Sequence, residues 1–289
     1  MPLRLIEHAD LRQFCDAVWP LLTECEADYC VHVGIVQRMR EKGYVPYSVD
    51  ELPQPLLLTV QSDRRIELAA LQTLKTKLAV TRGSDAAMQC LAEGLAARQW
   101  SGTDIIGICP SMAQLADHYQ RLCGRQKRLR VQLRYFQLNS VTMPPAAPGA
   151  MQQATAADRV VFAGFLREFD ETHGEPIEED YQSRADRIIG EGRAYLWTND
   201  EPVGMALWTG RTPRGVRIGG VYTPPQFRGR GYASNLVAHL SQKLLNEGRT
   251  FCFLNTDLTN PTSNSIYQKI GYKPTCDGAI WEFSPSNPV

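Results

Sequence analysis

The sequence predicts an α+β (mixed α/β) protein built as two similar domains in tandem, each a mixed, mostly antiparallel sheet flanked by helices. Three observations predict it. Segments of two-residue apolar alternation are interleaved with segments of helical period along all 289 residues. A proline-rich stretch, Met143-Pro-Pro-Ala-Ala-Pro-Gly149, falls near the middle, where proline can continue neither a helix nor a central strand. The order of elements before that stretch returns after it, with a period of roughly 145 residues that means a duplicated domain and not a solenoid. Domains cluster near ~100 to 150 residues, so this length accommodates two cores. The expected boundaries are a first domain at 1–142, a semi-rigid linker at 143–150 and a second domain at 151–289.

In the first half, helices are expected at about Asp10 to Leu22 and Glu24 to Glu41, followed by strands Leu56 to Gln61, Ile66 to Thr73 and Lys77 to Thr81. A helix from Asp85 to Arg98, a strand Asp104 to Ile108, a helix from Ser111 to Leu122 with Gly124 behind it, and a strand Leu129 to Leu138 complete the domain.

In the second half, Met151 to Thr155 is a short strand, and Asp158 is placed to cap a helix with Val161, Phe162, Phe165, Leu166 and Phe169 on one side. A more polar helix covers about Glu178 to Gly190. Three runs rich in β-branched and aromatic residues, Ala194 to Thr198, Val203 to Thr209 and Val216 to Thr223, read as an antiparallel meander. From Tyr232 the period changes: Ala233, Leu236, Val237, Leu240 and Leu244 follow helical spacing, and Gly248 stands at the C-terminal cap. A strand Thr250 to Thr256 comes next. Asn260 then caps a helix with Pro261 at its first position and Gly271 at its end. Two last strands, Tyr272 to Thr275 and Ala279 to Phe283, are expected to close this second domain.

Composition narrows the function. The apolar fraction of 43% and charged fraction of 21% are those of a globular protein, and no apolar run approaches the ~20 residues that cross a bilayer. Met1 to Asp10 carries Arg4, Glu7 and Asp10, so it lacks the apolar core of a secretory signal, and the expected location is the cytoplasm, with no membrane partner. The eight cysteines form no Cys-x-x-Cys pair, which argues against a disulfide framework or a zinc site; no metal is expected. Formal net charge is zero, so nucleic acid is not an expected partner. The charge is nevertheless uneven. Pro202 to Asn246 holds no acid but six basic residues, Arg211, Arg214, Arg217, Arg228, Arg230 and Lys243. Glu168 to Glu191 holds nine acids (Glu168, Asp170, Glu171, Glu175, Glu178, Glu179, Asp180, Asp186 and Glu191) against Arg184 and Arg187. The first stretch favours an anion and the second a cation.

The chemistry is expected where the third strand of the second half meets the long helix, at Val221-Tyr-Thr-Pro-Pro-Gln-Phe-Arg-Gly-Arg-Gly-Tyr-Ala233. Gln226, Gly229 and Gly231 form Gln-x-x-Gly-x-Gly. The glycines let the backbone turn tightly and approach a ligand without a Cβ in the way. The helix that follows aims unpaired amides and the positive end of its dipole at one point, an anion site that fits a diphosphate. Pro224 and Pro225 cannot donate to a sheet ladder, so strand pairing must stop there.

Gln226 to Ala233, together with Asn260-Pro-Thr-Ser-Asn-Ser-Ile-Tyr-Gln-Lys-Ile-Gly-Tyr272, resembles the two signature segments of the GCN5-related N-acetyltransferase (GNAT) family, and the element order of 151 to 284 matches that fold. The resemblance implies an acyl-CoA-dependent N-acetyltransferase, with acetyl-CoA as co-substrate and a small-molecule or peptide amine, including cationic ones, as acceptor. It assigns the pyrophosphate of coenzyme A to the backbone of Phe227, Arg228, Gly229, Arg230, Gly231 and Tyr232. Backbone groups of Val221 and Thr223, with Asn260, fall on the pantetheine arm. Tyr267 matches the tyrosine that protonates the departing thiolate. A phenol of pKa ~10 can serve a thiol of pKa ~8.5 only with help from geometry, so the group is expected to assist and not to be indispensable. Asn264, one turn beyond Asn260, contacts the coenzyme or only solvates the helix.

The sequence departs from the family in one respect: Val216-Arg-Ile-Gly-Gly-Val-Tyr222 carries no carboxylate where many members hold a general base. A water relay, an acid between Glu168 and Asp180, Asp257, or an acceptor that arrives neutral are the open alternatives. In the first half, Ala79-Val-Thr-Arg-Gly-Ser-Asp-Ala86 is too short for the loop and puts Asp85 where a diphosphate would sit, while Tyr119 has no Asn-Pro cap before it. The first domain is therefore expected to be a degenerate copy that has lost CoA binding. Two rival readings are a non-catalytic CoA-binding sensor or interaction module and a tandem acyltransferase of the mycothiol-synthase type acting on an amino-sugar conjugate.

Overall fold

The computed structural model describes residues 2–44, 54–63, 65–173 and 180–284. They fall into two units: Met1–Tyr135 with Thr256–Thr259 and Thr275–Val289, and Phe136–Asn255 with Asn260–Pro274.

The first unit contains β1 (Leu3–Glu7), α1 (Leu11–Glu24), α2 (Cys30–Glu41), β2 (Leu56–Ser62), β3 (Arg65–Gln72), β4 (Lys77–Val80), α3 (Asp85–Ala97), β5 (Asp104–Ile108), α4 (Ser111–Cys123) and most of β6 (Lys127–Leu138). Its strands run in the order β1-β2-β3-β4-β5, antiparallel except for the parallel pair β4 and β5. Strand β1 was not expected. Leu3 and Leu5 are only partly buried against the core, and the five-residue segment holds its place by pairing Leu3 to Glu7 with Ser62 to Leu58 of β2.

The second unit contains β7 (Ala150–Gln153), α5 (Arg159–His173), α6 (Tyr181–Gly190), β8 (Ala194–Asn199), β9 (Glu201–Arg211), β10 (Gly215–Tyr222), α7 (Tyr232–Asn246), most of β11 (Phe251–Asp257) and α8 (Pro261–Ile270). Its sheet runs β11-β10-β9-β8-β7. The period-two alternation sends successive residues to opposite faces. Tyr195 and Trp197 of β8 pack with Leu236, Val237 and Leu240 of α7 and Ile270 of α8, while Ala194 and Leu196 pack with Phe162 and Leu166 of α5 and Ile188 of α6. The helix at Arg159 is introduced by a capping box: Thr155, and not Asp158, occupies the cap, and Asp158 Oδ2 accepts from the Thr155 amide at 2.8 Å.

The expected domain boundaries are corrected in two places. The two terminal strands predicted for the second domain form one strand, β12 (Lys273–Phe283), which from Thr275 onward belongs to the first unit and pairs antiparallel with β5, Gly278 to Glu282 opposite Ile108 to Asp104. The expected break at Cys276 to Gly278 is continuous for two reasons. Arg134 donates from Nε and Nη2 to both Asp277 carboxylate oxygens, at 2.8 and 3.0 Å. Gly278 permits close approach, since a Cβ there would stand 2.8 Å from the Gly107 carbonyl oxygen. Phe283 and Ala279 are then buried in the first unit's core beside Tyr119 and Leu115. The proline-rich stretch, expected as a semi-rigid linker between the domains, is part of one of them. It belongs to the second unit, where Asn235 Nδ2 donates to the Pro145 carbonyl at 3.0 Å and Trp197 Nε1 to the Pro148 carbonyl at 2.8 Å.

Candidate functional site

In the second unit the sheet opens between β10 and β11. The two strands pair in parallel only over Gly215 to Arg217 and Phe251 to Phe253, so from Ile218 onward β10 presents an unpaired edge on that side. On its other side the register with β9 slips: Gly219 opposes Leu207 and Tyr222 opposes Met205, three steps against two. Gly220 absorbs the extra residue at φ +56°, where a Cβ would stand 2.1 Å from Leu207 Cδ2. Pro225 to Phe227 then form a short 3₁₀ turn that leads away from the sheet.

Beyond the turn, Gly229 and Gly231 take φ of +76° and +80°, and Gly231 caps α7 without any side-chain acceptor. Among the described residues, no acceptor is hydrogen-bonded to the backbone amides of Gly229 through Ser234. They lie at the positive end of a fifteen-residue helix, which favours a bound anion. The loop is held from behind by Asn235 Nδ2, which donates at 3.0 Å to the Gly231 carbonyl, and by Arg228 Nε, which donates to the Thr223 carbonyl at 3.0 Å.

A cleft of about 560 Å³ runs from this loop along the open edge. Val221, Thr223, Phe227, Arg228, Gly229, Gly231 and Tyr232 line one side, Asn260 and Tyr267 the other. Three predicted residues lie elsewhere. Gln226 is exposed and borders a neighbouring hollow, Arg230 is exposed outside the lining, and Asn264 turns back so that its Nδ2 donates to the Asn260 carbonyl at 2.8 Å. Of the two roles open for Asn264, the helix-bound one is what its geometry supports. The sequence reading missed Thr172, Tyr222, Ala233, Ser234, Thr262, Ser263 and Ile266. Ala233, Ser234, Thr262, Ser263 and Ile266 were within reach of helical spacing from Gly231 and Asn260, but Thr172 comes from α5, which only folding brings to the cleft.

Thr223 lines the cleft, while its Oγ1 is buried beside Gly204 of β9 with no partner among the described residues. Asn260 caps α8, its Oδ1 accepting from the Ser263 amide at 3.0 Å, and Gly271 closes the helix at φ +108°. This short, well-capped helix presents Tyr267, packed between Phe136 and Tyr272 and 9% exposed. Burial pushes the Tyr267 phenol up to about 12.

A second hollow of about 740 Å³ shares Thr172, Tyr222 and Phe227 with the cleft and is bordered by Glu168, Glu171 and Glu201. Tyr222 Oη donates to Glu168 Oε2 at 2.9 Å, and burial, then Glu168, raise the Tyr222 phenol above its ordinary value. The other acids of this stretch are engaged elsewhere. Asp170 is buried and accepts from Arg184 at 2.6 Å and Tyr181 at 3.1 Å. Asp180 caps α6, Asp186 pairs with Arg159 and Glu191 with Arg193. Glu175, Glu178 and Glu179 lie outside the described residues. Asp257 belongs to the first unit and accepts from the Thr259 amide and hydroxyl, both at 2.7 Å.

The corresponding junction of the first unit is closed. Strand β4 pairs with β5 along its whole length, Lys77 to Val80 against Asp104 to Gly107, and a Cβ on Gly107 would stand 2.3 Å from the Val80 carbonyl oxygen. Ser84 Oγ caps α3 by accepting from the Ala87 amide at 3.3 Å, and Asp85 is bound to His118 Nε2 at 2.8 Å. Tyr119 is buried and donates to the Trp100 carbonyl at 3.1 Å. Among the described residues no helix is long and apolar enough to cross a membrane.

Residues 197–281, which include the glycine loop and the helix of Tyr267, match the family model described as FR47-like protein. No curated protein matches the chain. Among solved structures, a GCN5-related N-acetyltransferase from Sphaerobacter thermophilus superposes with a TM-score of 0.66 at 16% identity, covering 100% of this chain and 99% of the other. A tandem GNAT protein from the clavulanic acid biosynthesis pathway gives a TM-score of 0.58 at 12% identity over 100% of both chains. A GNAT-family acetyltransferase from Colwellia psychrerythraea gives 0.57 at 13% identity, covering 98% of this chain and 99% of the other. At these identities the likeness is one of fold.

Proposed function

We propose that this protein, a tandem GCN5-related N-acetyltransferase fold with an FR47-like segment at 197–281, transfers an acetyl group from coenzyme A to a primary amine at the cleft of its second unit. The observation that carries the proposal is the run of acceptor-less amides from Gly229 to Ser234 standing directly behind the open edge of β10. A diphosphate needs several converging donors, and a helix N-terminus reached by a glycine loop supplies them without a side chain in the way. An extended, amide-containing arm needs an unpaired strand edge, which β10 offers from Ile218 onward. The residues present thus fit acyl-CoA, which brings the activated thioester. This chain's contribution is to hold the thioester beside an amine, to offer amide donors to the carbonyl oxygen, and to place a protonated phenol, Tyr267, on the wall of the same cleft.

The second reading, a CoA-binding module without catalysis, would share the loop and the open edge but gives no reason for a buried tyrosine facing the cleft. Calorimetry with acetyl-CoA tests the binding half of the proposal. One site per chain is expected, abolished by Gly229→Glu: the position has open space for the new side chain but a φ of +76° and the diphosphate's own charge against it. Two sites per chain, or binding that survives that substitution, sinks the assignment. Thioester cleavage dependent on a panel of amines tests the catalytic half.

A further inference from the structure

The strand beside the glycine loop carries no carboxylate, yet a primary amine is an ammonium at neutral pH and must lose a proton before it can attack. The second hollow answers that need. Tyr222 sits on β10 between Val221 and Thr223 and borders both the cleft and the hollow, and its hydroxyl is held by Glu168 Oε2 at 2.9 Å across from α5. Resting on the acyl-transfer reading above, we infer that the hollow binds a cationic primary amine and that the Tyr222 phenol, positioned and polarised by Glu168, receives the amine's proton.

A group that stands at the seam of two cavities is where a nucleophile from one must meet a thioester from the other, and the shared wall of Thr172, Tyr222 and Phe227 is that seam. The Glu168–Tyr222 pair is also directional. The phenol already donates to the carboxylate, so its oxygen keeps lone pairs for an incoming N–H. The remaining charges that face Tyr222 and Glu168 fall on two sides. Glu171 of α5 and Glu201 at the start of β9 border the hollow, with Glu171 weakly paired to Arg167 at 3.8 Å, whereas the Arg228 guanidinium acts on the Tyr222 phenol from the cleft side. An ammonium is drawn to the acidic side and kept from the diphosphate side.

One ammonium proton passes to Tyr222 Oη as the Tyr222 proton passes to Glu168 Oε2. The freed nitrogen lone pair forms the C–N bond, the C–S bond breaks, and its electron pair stays on sulfur. The second nitrogen proton is lost as sulfur gains one, delivered by Tyr267 or water, and Glu168 returns its proton to solvent.

The test is the pH profile of kcat/KM for acetyl transfer to a diaminoalkane, for the full chain and for Glu168→Gln and Tyr222→Phe, with acetyl-CoA affinity and thermal melting measured alongside. The wild type should show an acid limb set by Glu168, which Glu168→Gln replaces with one set by the amine's own ammonium. The variant should lose about 10²- to 10³-fold at pH 7 and recover most of it near the pKa of the amine, where the nucleophile arrives neutral. A deficit equal at every pH means that the pair only ties α5 to β10, and a profile that overlays the wild type means that the proton goes elsewhere; either overturns the inference. Glu201→Gln, at the hollow's rim, should raise KM for the diaminoalkane about tenfold with kcat unchanged, and equal KM in variant and wild type removes the amine from this hollow. Absence of transfer by the wild type to any amine would instead overturn the acyl-transfer reading itself.

Discussion

The phenol of Tyr267 is raised to about 12 by burial, while a departing thiol ordinarily titrates near ~8.5. The group is therefore fully protonated at every working pH, which suits a donor, but handing its proton to the thiolate is uphill unless the phenolate is stabilised as it forms. Tyr267→Phe is expected to lower kcat by about 10² and to leave acetyl-CoA affinity almost unchanged, with no alkaline limb attributable to Tyr267 below about pH 10. Unchanged turnover would return Tyr267 to a packing role between Phe136 and Tyr272. A second residue, His32 of α2, sets a different pH dependence. It is 4% exposed, its Nε2 has no partner among the described residues, and desolvation lowers it from 6.5 to about 4. The unfolded chain thus binds a proton that the folded one refuses between those values. Stability from this group is fully present above pH 6.5 and is lost as pH falls toward 4, the loss reaching roughly 2 kcal/mol at pH 5. His32→Leu should flatten the fall in Tm between pH 7 and pH 5; a slope identical to wild type would show that His32 titrates normally.

Among elements, α7 has an unusual beginning. Asp10, Ser84, Asp180 and Asn260 cap α1, α3, α6 and α8 with a side chain, and α2 and α4 start without one from Tyr29 and Pro110, but among these helices α7 alone starts from a glycine, Gly231, in the left-handed region. A capping side chain would occupy the amides that the ligand needs. Gly231→Ser is expected to cost about 1 kcal/mol through its positive φ and, in addition, to weaken acetyl-CoA binding several-fold: the new Cβ would stand behind the loop, 3.7 Å from Asn235 Nδ2 and 3.8 Å from Ala147 Cβ, but relief of the φ strain turns the loop amides away from one another. Isothermal titration and a denaturant melt of the same variant separate the two effects, and a variant that binds as tightly as wild type would argue against backbone contact at that position.

At the scale of the whole molecule, the last strand of the chain completes the first unit. Phe283 is fully buried there, in edge-to-face contact with Tyr119 at 5.1 Å, and Arg125 donates to the carbonyls of Phe283 and Ser284 at 2.6 and 3.1 Å. Cutting the chain at the proline-rich stretch therefore removes a central strand from the first unit. A fragment of residues 1–142 should fail to melt cooperatively by circular dichroism, and Phe283→Ala in the full chain should destabilise the first unit by about 3–5 kcal/mol. A fragment that melts like the intact protein would show that β12 is dispensable.

The sequence by itself determined most of the elements and the chemistry of the loop, because period, caps and glycines are local properties: Asn260 with Pro261, Gly271, and the Gly229-Arg-Gly231 turn all do in the structure what their residue types dictate. It also carried the tandem build, since the same order of elements occurs twice. What it left open depends on which segments meet. The Asp277-Gly278 pair reads as a break along the chain, but Arg134 and the Gly107 backbone make it the middle of a strand in the other unit. Gln226 and Asn264 fit the motif, yet their side chains point away from the cleft or back to the helix. Glu168 was one acid among nine until α5 packed against β10 and brought it within 2.9 Å of Tyr222. Hydrogen bonds across fifty-four residues of sequence are set by packing of apolar faces, which local pattern does not encode, and so the partner of Tyr222 was decided only by the tertiary structure.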